Sequence, residues 1–221
     1  FCLSRGLGDV YKRQIYKDSN LKNITADENF NTFSLSWYNN TDVDPATGLT
    51  PYINMQKVLK VCHDFVDNFD NTFSNLLFIG QTGVGKTFLS NCIARALMDS
   101  CHSIIYLTAG EFFDSFKSDD FKEFGSSKFD TSFFVECDLL IIDDLGTEKA
   151  SDYNFSNLFN TINERLLRRK SIIISSNLEM PDIETRYSQR IFSRLVSAYS
   201  ILRLFGDDIR CMKKLSPTKR S

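Results

Sequence analysis

Several features are missing from this sequence of 221 residues, and each absence narrows the class of protein. No apolar stretch approaches the roughly 18 residues that a membrane-spanning helix needs, and the first residues do not follow the pattern of a signal peptide. The six cysteines include no C-x-x-C pair and lie mostly in apolar stretches, where a free thiol packs as a small hydrophobic group. No internal repeat or low-complexity tract is present. We therefore expect a soluble, cytoplasmic protein with no membrane partner.

A strong charge of either sign is also missing, since the formal net charge is −2. This balance argues against a protein coated with positive charge for nucleic acid. From Glu164 onward, however, 13 Lys and Arg stand against 6 Asp and Glu. A basic C-terminal quarter is consistent with a surface that faces phosphates, and equally with a solvated helix face. The 20 Phe and the hydrophobic share of 42% are enough for one well-buried core, and we expect the Phe to fill it rather than to stack on bases.

The start of the chain does not look native. Residues 9–14 read DVYKRQ, which GATGTGTATAAGAGACAG encodes, the end sequence of a transposase sequencing adaptor. We interpret residues 1–14 as foreign, in which case the natural N-terminal region was cut. Residues 15–54, rich in Asn, Asp, Thr and Ser, are then a linker or remnant of that region. Residues 55–214 form the main domain and residues 215–221 a tail.

Short apolar runs alternate with helical patterns through the main domain. This rhythm predicts an α/β fold with three layers, in which helices cover both faces of a central parallel sheet. The predicted strands are Asn75–Ile79, Ser103–Thr108, Asp138–Ile142, Ser171–Ser176 and Ile201–Phe205. The predicted helices are Met55–Phe69, Lys86–Met98, helices within Gly110–Phe134, Tyr153–Arg169 and an arginine-bearing helix around Arg186–Ala198.

The first motif that carries chemistry follows the first strand. The octapeptide GQTGVGKT matches G-x-x-x-x-G-K-[ST] between an apolar strand and a helix-forming stretch, which is the context that a P-loop requires. In such a loop backbone N–H groups surround the phosphates, Lys86 reaches the β- and γ-phosphates, and the Thr87 hydroxyl coordinates Mg²⁺. We assign to ATP binding the residues of this motif and the one after it, Gly80, Gln81, Thr82, Gly83, Val84, Gly85, Lys86, Thr87 and Phe88.

A second motif ends the strand that begins at Asp138. The run DLLIIDD is a buried strand followed by two carboxylates, the pattern of a Walker B motif. Asp143 is assigned to the metal and Asp144 to the general base that polarises the attacking water. Two acids at a strand end can also cap the next turn, but the P-loop upstream disfavours that interpretation. Many AAA+ proteins carry Glu where Asp144 stands, and the shorter side chain is consistent with hydrolysis that is slow or triggered by a partner.

Four further polar residues are candidates for the same site. Asn177 ends the strand SIIISS and can fix the attacking water, the sensor-1 role, which we favour over a helix or turn cap. Arg190 and Arg194, with Arg186, recur every four residues and form a stripe on one helix face. In a ring or filament such a stripe can enter a neighbour's ATP site as an arginine finger, although a solvated face is the more common use. Arg210 can contact the γ-phosphate of its own chain or be an ordinary surface residue.

The order of these motifs resembles the AAA+ module of the DnaC/DnaI helicase loaders and the related IstB transposition ATPases. The resemblance covers about residues 55–214 and is carried by LLFIGQTGVGKTFLSNCIA, DLLIIDDLGTE, IIISSNL, YSQRIFSRL and LFGDDIR. It implies that Arg194 is the arginine finger, with Arg190 the second choice, and that Arg210 is sensor 2. It further implies self-association through the ATP sites. The N-terminal helicase-binding segment of the loaders, sometimes with a zinc-binding Cys cluster, is not found in this sequence.

By this resemblance the chain is an ATP- and Mg²⁺-dependent switch that binds single-stranded DNA and delivers the replicative DNA helicase. An IstB-like helper of a transposase shares the module and stays a rival. A P-loop kinase for a small metabolite is a weaker rival, because such kinases usually carry an Arg-rich lid. A non-hydrolysing adaptor that only binds ATP is compatible with Asp144.

Overall fold

The structure is a computed structural model in which residues 27–117 and 131–215 are described. The interpretation of residues 1–14, the beginning of the predicted linker, part of the predicted helical stretch Gly110–Phe134 and the tail after Leu215 lie outside these residues. Within the described ranges, no helix is long and apolar enough to cross a membrane.

A sheet of five parallel strands forms the centre of the domain, in the order β2-β3-β4-β1-β5. All five predicted strands are present; β4 has the predicted bounds and the other four have one or both ends shifted. Their bounds are β1 Leu76–Ile79, β2 Ile104–Thr108, β3 Leu139–Leu145, β4 Ser171–Ser176 and β5 Ser200–Arg203. The predicted parallel α/β architecture is confirmed.

Eight α-helices lie in the described ranges, preceded by a short 3-10 helix at Leu35–Trp37. Their bounds are α1 Pro51–Asp67, α2 Lys86–Asp99, α3 Ala109–Asp114, α4 Phe133–Glu136, α5 Asp152–Leu167, α6 Met180–Arg186, α7 Gln189–Ala198 and α8 Ile209–Leu215.

Two apolar clusters sandwich the sheet, because side chains alternate across a strand. In β1, Leu76 and Phe78 face the cluster formed with α1 and α2, while Leu77 and Ile79 face the cluster formed with α3 to α7. Strands β1 and β4 are buried along their whole length, as expected for parallel strands covered on both faces. This layering brings the carboxyl ends of β1, β3 and β4 to one edge.

Helix α1 begins at Pro51, four residues before the predicted start at Met55. The Thr50 hydroxyl accepts a hydrogen bond from Ile53 N, and the proline stands in the first turn, where its missing N–H costs nothing. The turn-like composition of the preceding residues hid this boundary.

The helix predicted around Arg186–Ala198 is present as α7, but it begins three residues later, at Gln189, because Arg186 ends the preceding helix. Helix α6 ends at Arg186, Tyr187 is extended with φ −103° and ψ 162°, and Ser188 caps α7 through a hydrogen bond from Ile191 N. A local Ser cap and the extended residue before it therefore override the helical spacing. The arginine stripe is correspondingly shorter, since Arg186 lies on a different helix from Arg190 and Arg194.

Candidate nucleotide-binding site

The P-loop connects β1 to α2 and wraps around one ammonium group. Lys86 Nζ donates hydrogen bonds to Gly80 O at 2.6 Å, to Gln81 O at 2.7 Å and to Asn177 Oδ1 at 2.6 Å. The lysine is 4% exposed, and burial lowers its pKa, an effect that the nearby carboxylates of Asp144 and Asp143 oppose. Three hydrogen-bond acceptors therefore hold the ammonium group of Lys86 in place.

Gly83 shows why the loop needs glycine at this point. Its φ is +81°, and a Cβ added there would lie 2.1 Å from Asp208 Oδ1. The same Asp208 oxygen accepts a hydrogen bond from Arg210 N at 2.8 Å, and Ile209 N donates to Gly83 O at 3.1 Å. The GDDIR segment, which leads into α8 and includes its first two residues, therefore contacts the P-loop directly, and this contact places Arg210 beside the cavity.

Asp143 is buried, and its carboxylate accepts hydrogen bonds from three hydroxyl groups. Thr87 Oγ1 lies 3.0 Å and Tyr106 Oη 2.9 Å from its Oδ2, and the Ser175 hydroxyl donates to its Oδ1. The two residues assigned to the metal, Thr87 and Asp143, are therefore brought together. Tyr106 and Ser175 fix the carboxylate from the neighbouring strands β2 and β4.

Asp144 has the left-handed backbone conformation, with φ +57°, which is uncommon for a residue other than glycine. Its N–H donates to Ser175 Oγ at 3.0 Å, and its Oδ1 accepts a hydrogen bond from Asn177 Nδ2 at 3.3 Å. Burial and the adjacent charge of Asp143 raise its pKa, while Lys86, Asn177 and Arg210 oppose the rise. A half-buried carboxylate with a raised pKa is a better proton acceptor than a free one.

A cavity of about 630 Å³ opens above these residues, large enough for a nucleotide. Its floor includes Lys86, Thr87, Asp144 and Asn177, and Arg210 lies on its wall. Four aromatic residues from the segment before α1 and from the start of α2 also line the cavity, namely Phe33, Trp37, Tyr38 and Phe88, together with polar residues that include Asp27 and Glu28. The polar floor suits phosphates and the four aromatic residues suit a base.

Residues 27–50 belong to the stretch that the sequence predicts to be a linker, and in the structure they contact the P-loop. Tyr38 is buried and its hydroxyl donates to Val84 O at 3.1 Å. Phe33 stacks on Tyr38 with ring centroids 5.8 Å apart and meets the Phe88 ring edge at 5.6 Å. Phe33, one of the phenylalanines expected in the core, packs against the edge of the core and also lines the cavity, as does Phe88, which the sequence assigns to ATP binding.

The arginines divide into two groups. Arg210 lines the cavity, whereas the described lining residues do not include Arg190 or Arg194. Both lie on the exposed side of α7, where Arg194 Nη2 donates to Asn163 Oδ1 of α5 at 3.1 Å. Arg186 lies apart from them, against Glu148. The structure therefore brings Arg210 to the site within one chain and leaves the α7 arginines on the surface.

Sequence reasoning missed several residues around the site. Tyr106 and Ser175 are ordinary strand residues in the sequence, and only the strand order β2-β3-β4 places them on either side of Asp143. Asp208 and Tyr38 touch the loop across long sequence separations. The position of Ser175, two residues before Asn177 on the strand next to Asp143, was the one usable signal.

The residues present fit a Mg²⁺ ion. Among the described residues no group of three or more His, Cys, Asp and Glu side chains could hold a metal by itself. Mg²⁺ does not require such a group, because it is typically bound by one or two protein oxygens together with substrate phosphates and water. Thr87 Oγ1 and Asp143 Oδ2, 3.0 Å apart, supply two oxygens of the right kind.

A family model agrees with this arrangement. The model described as IstB-like ATP binding protein matches residues 51–216, which is most of the chain. Among curated proteins, the Replicative helicase loader DnaC of Escherichia coli (strain K12) is 23% identical over 151 residues, covering 68% of this chain and 61% of that protein. The match thus spans about three fifths of the relative's length.

Solved structures with the same fold include a DnaC helicase loader and a DnaA. The DnaC structure has a TM-score of 0.62 at 21% identity and covers 78% of this chain and 96% of that one. DnaA from Aquifex aeolicus, solved with AMPPCP bound, has a TM-score of 0.64 at 18% identity and covers 90% and 58%. At such identities the likeness shows the fold alone. The predicted resemblance to the AAA+ module of the DnaC/DnaI and IstB proteins is confirmed.

Proposed function

Because the chain belongs to the family of IstB-like ATP binding proteins, we propose that it is an ATPase that delivers the replicative DNA helicase to single-stranded DNA. The observation that carries the ATPase part is the meeting of Lys86, Asp144 and Asn177 in the lining of one cavity, where Thr87, also in the lining, is hydrogen-bonded to the buried Asp143. The helicase part is supported by the likeness to the DnaC helicase loader. We place the protein in the cytoplasm, where such a substrate is found.

In this proposal each residue has a separate task. Lys86 and the P-loop N–H groups hold the β- and γ-phosphates, and the aromatic residues of the cavity hold the base. Asp144 accepts a proton from the attacking water, and Asn177, bonded to Asp144 at 3.3 Å, orients that water. Thr87 and Asp143 would hold Mg²⁺, which supplies positive charge to the phosphate oxygens.

The arginines complete the site in two ways. Arg210 lies beside the P-loop because Asp208 contacts that loop, and it contacts the phosphates of the ATP bound to the same chain. In this way Arg210 senses whether ATP is bound. Arg194 and Arg190, on the exposed face of α7, act on the ATP of a neighbouring subunit as arginine fingers. Hydrolysis is then controlled by self-association, which suits an ATPase that is slow until it is assembled.

A second function is favoured by the matching family model, whose description is IstB-like. In that case the same ATP switch delivers DNA to a transposase. The two functions share every residue discussed above and differ only in the partner.

A loading assay separates them. Circular single-stranded DNA carrying an annealed labelled strand is coated with single-strand-binding protein and mixed with the hexameric helicase of the source genome, this protein and ATP. We expect strand displacement to require this protein, and Lys86→Ala to abolish its effect. If displacement is unchanged by the protein while integration by a transposase encoded beside its gene is stimulated, the transposase function replaces the proposal.

A further inference from the structure

Glu148 is an acidic residue in the loop that follows β3, a position where carboxylates are normally solvated. In the structure its side chain is 3% exposed. It lies in the connection between β3 and α5, four residues after Asp144, which is near the end of β3. A buried carboxylate requires hydrogen-bond or ion-pair partners, and the positions of those partners indicate its role.

The partners come from two parts of the chain. Gly146 N donates to Glu148 Oε2 at 2.8 Å, which closes the loop upon itself. Tyr187 Oη donates to Glu148 Oε1 at 2.5 Å, and the Arg186 guanidinium pairs with the same oxygen at 3.5 Å and donates to Glu148 O. Both carboxylate oxygens are therefore used, one toward the Asp144 loop and one toward the junction between α6 and α7.

The loop side of this network leads to Asp144. Thr147 Oγ1 donates to Asp144 O at 2.9 Å, and Gly146 has φ +110° with Leu178 packed where a Cβ would stand. The left-handed φ of +57° at Asp144 costs energy and persists only if its surroundings enforce it. Glu148, Gly146 and Thr147 stabilise this backbone conformation from the C-terminal side of Asp144.

The other side of the network leads to the arginine helix. Tyr187 is the extended residue between α6 and α7, and Ser188, which follows it, caps α7. Burial, together with the hydrogen bond to Glu148, raises the pKa of Tyr187, so the hydroxyl keeps its proton at neutral pH. The start of α7, the helix that carries Arg190 and Arg194, is therefore linked through Tyr187 and Glu148 to the loop that follows Asp144.

We propose that Glu148 is a positioning residue for ATP hydrolysis, which holds the loop of Asp144 in its catalytic conformation and fixes it to the start of α7. The inference rests on the proposed ATPase function. Glu148 touches no substrate in this scheme and acts through Asp144. ATP binding, which depends on the P-loop, does not need it.

The test compares Glu148→Ala with Glu148→Gln. The glutamine oxygen can accept from Gly146 N while its amide donates to the Tyr187 hydroxyl, so it preserves the hydrogen bonds on both sides and loses the ion pair with Arg186. Alanine preserves none of these contacts. We expect Glu148→Ala to lower kcat by about tenfold or more, since small misplacements of a reacting group are costly, with the Kd for ATP within about twofold of the parent. Glu148→Gln should recover most of the rate. Glu164→Ala is the matched control, because Glu164 is a half-exposed partner of Arg168 and lies on α5 away from the cavity.

Hydrogen exchange of the 144–148 backbone gives a second measurement that does not require turnover. Exchange there should be faster in Glu148→Ala and in the milder variant Tyr187→Phe, while exchange in the P-loop stays unchanged. If Glu148→Ala does not fold, Tyr187→Phe decides through the same two measurements. Unchanged kcat in an active protein, or unchanged exchange at 144–148, overturns the positioning role. A parent protein without ATPase activity contradicts the proposed function instead, and the exchange result still decides whether Glu148 holds the loop.

Discussion

Lys86 of the P-loop and Asn177 at the end of β4 are joined by a hydrogen bond of 2.6 Å between Nζ and Oδ1, across 91 residues of sequence. Asn177 also donates to Asp144 at 3.3 Å. The P-loop ammonium, the amide and the candidate base thus form one hydrogen-bonded chain that joins the start of α2 to the ends of β4 and β3. A change at Lys86 should therefore affect both binding and the environment of Asp144.

Lys86→Ala removes the main positive charge of the phosphate site. We expect the affinity for ATP to fall about 100-fold, or roughly 3 kcal/mol, since a charge-assisted contact is lost. Titration with a fluorescent ATP analogue measures this directly. Lys60→Ala, at an exposed position of α1, is the control and should bind as the parent does. Tight binding by a folded Lys86→Ala protein would show that the nucleotide lies elsewhere.

Ser175→Ala tests the support of Asp143, the carboxylate that we propose binds Mg²⁺. The Ser175 hydroxyl donates to Asp143 Oδ1 and accepts from Asp144 N, so its loss removes one hydrogen bond from each of these two residues. We expect turnover to fall about tenfold and the Mg²⁺ concentration for half-maximal turnover to rise, because outer hydrogen bonds to metal ligands typically matter by that much. The measurement is ATPase rate against Mg²⁺ concentration. A parent-like Mg²⁺ curve would mean that Thr87 and Tyr106 suffice.

Much of this site could be predicted from the sequence, because a P-loop and a strand ending in two acids are local patterns. The α/β alternation likewise predicted the parallel sheet and the approach of Asp143 to Thr87. The strand order could not be predicted, so the hydroxyl of Tyr106 on β2 was not recognised as a partner of Asp143. The break at Tyr187 was missed because Ser188 is an ordinary residue in a helical pattern until its hydroxyl caps α7.

The lowered pKa of Asp138 predicts how the free energy of unfolding changes with pH. Burial raises the pKa of this carboxyl, but hydrogen bonds from Lys170 and Ser103 outweigh burial and hold its pKa at about 2, below the ordinary 3.8. The stability that follows from this shift is present above the unfolded pKa and is lost as the pH falls through the folded one.

Asp138→Asn should therefore lower the free energy of unfolding at neutral pH by about 1 kcal/mol, a figure reduced because the pair is one-third exposed. The difference from the parent should shrink below about pH 4. Urea unfolding across this range measures it. Asp114→Asn, which breaks an exposed pair with Lys117, is the control and should change little. A difference that is constant with pH would argue against the ion pair as its source.

Arg194→Ala should leave ATP binding intact and lower hydrolysis, since Arg194 lies on the surface of its own chain. Mixing this variant with Lys86→Ala creates interfaces in which one chain supplies Arg194 and the other Lys86. Activity should then partly return, because an arginine finger can contribute about 10³-fold in rate. If the chains demonstrably assemble and the mixture stays inactive, Arg194 is not a finger in trans, and Arg190 in that role, or a surface role for Arg194, is the better interpretation.

The central claim is that this cavity binds ATP and that Asp144 is the base that hydrolyses it. Asp144→Asn tests it most directly, because asparagine tolerates the left-handed φ of +57° and keeps the shape of the side chain while it cannot accept the proton. Binding affinity and single-turnover rate are measured on the same protein. We predict unchanged affinity for ATP with a rate lower by about 10²-fold or more. Parent-like hydrolysis by Asp144→Asn would contradict the assignment of the base and with it the account of the site.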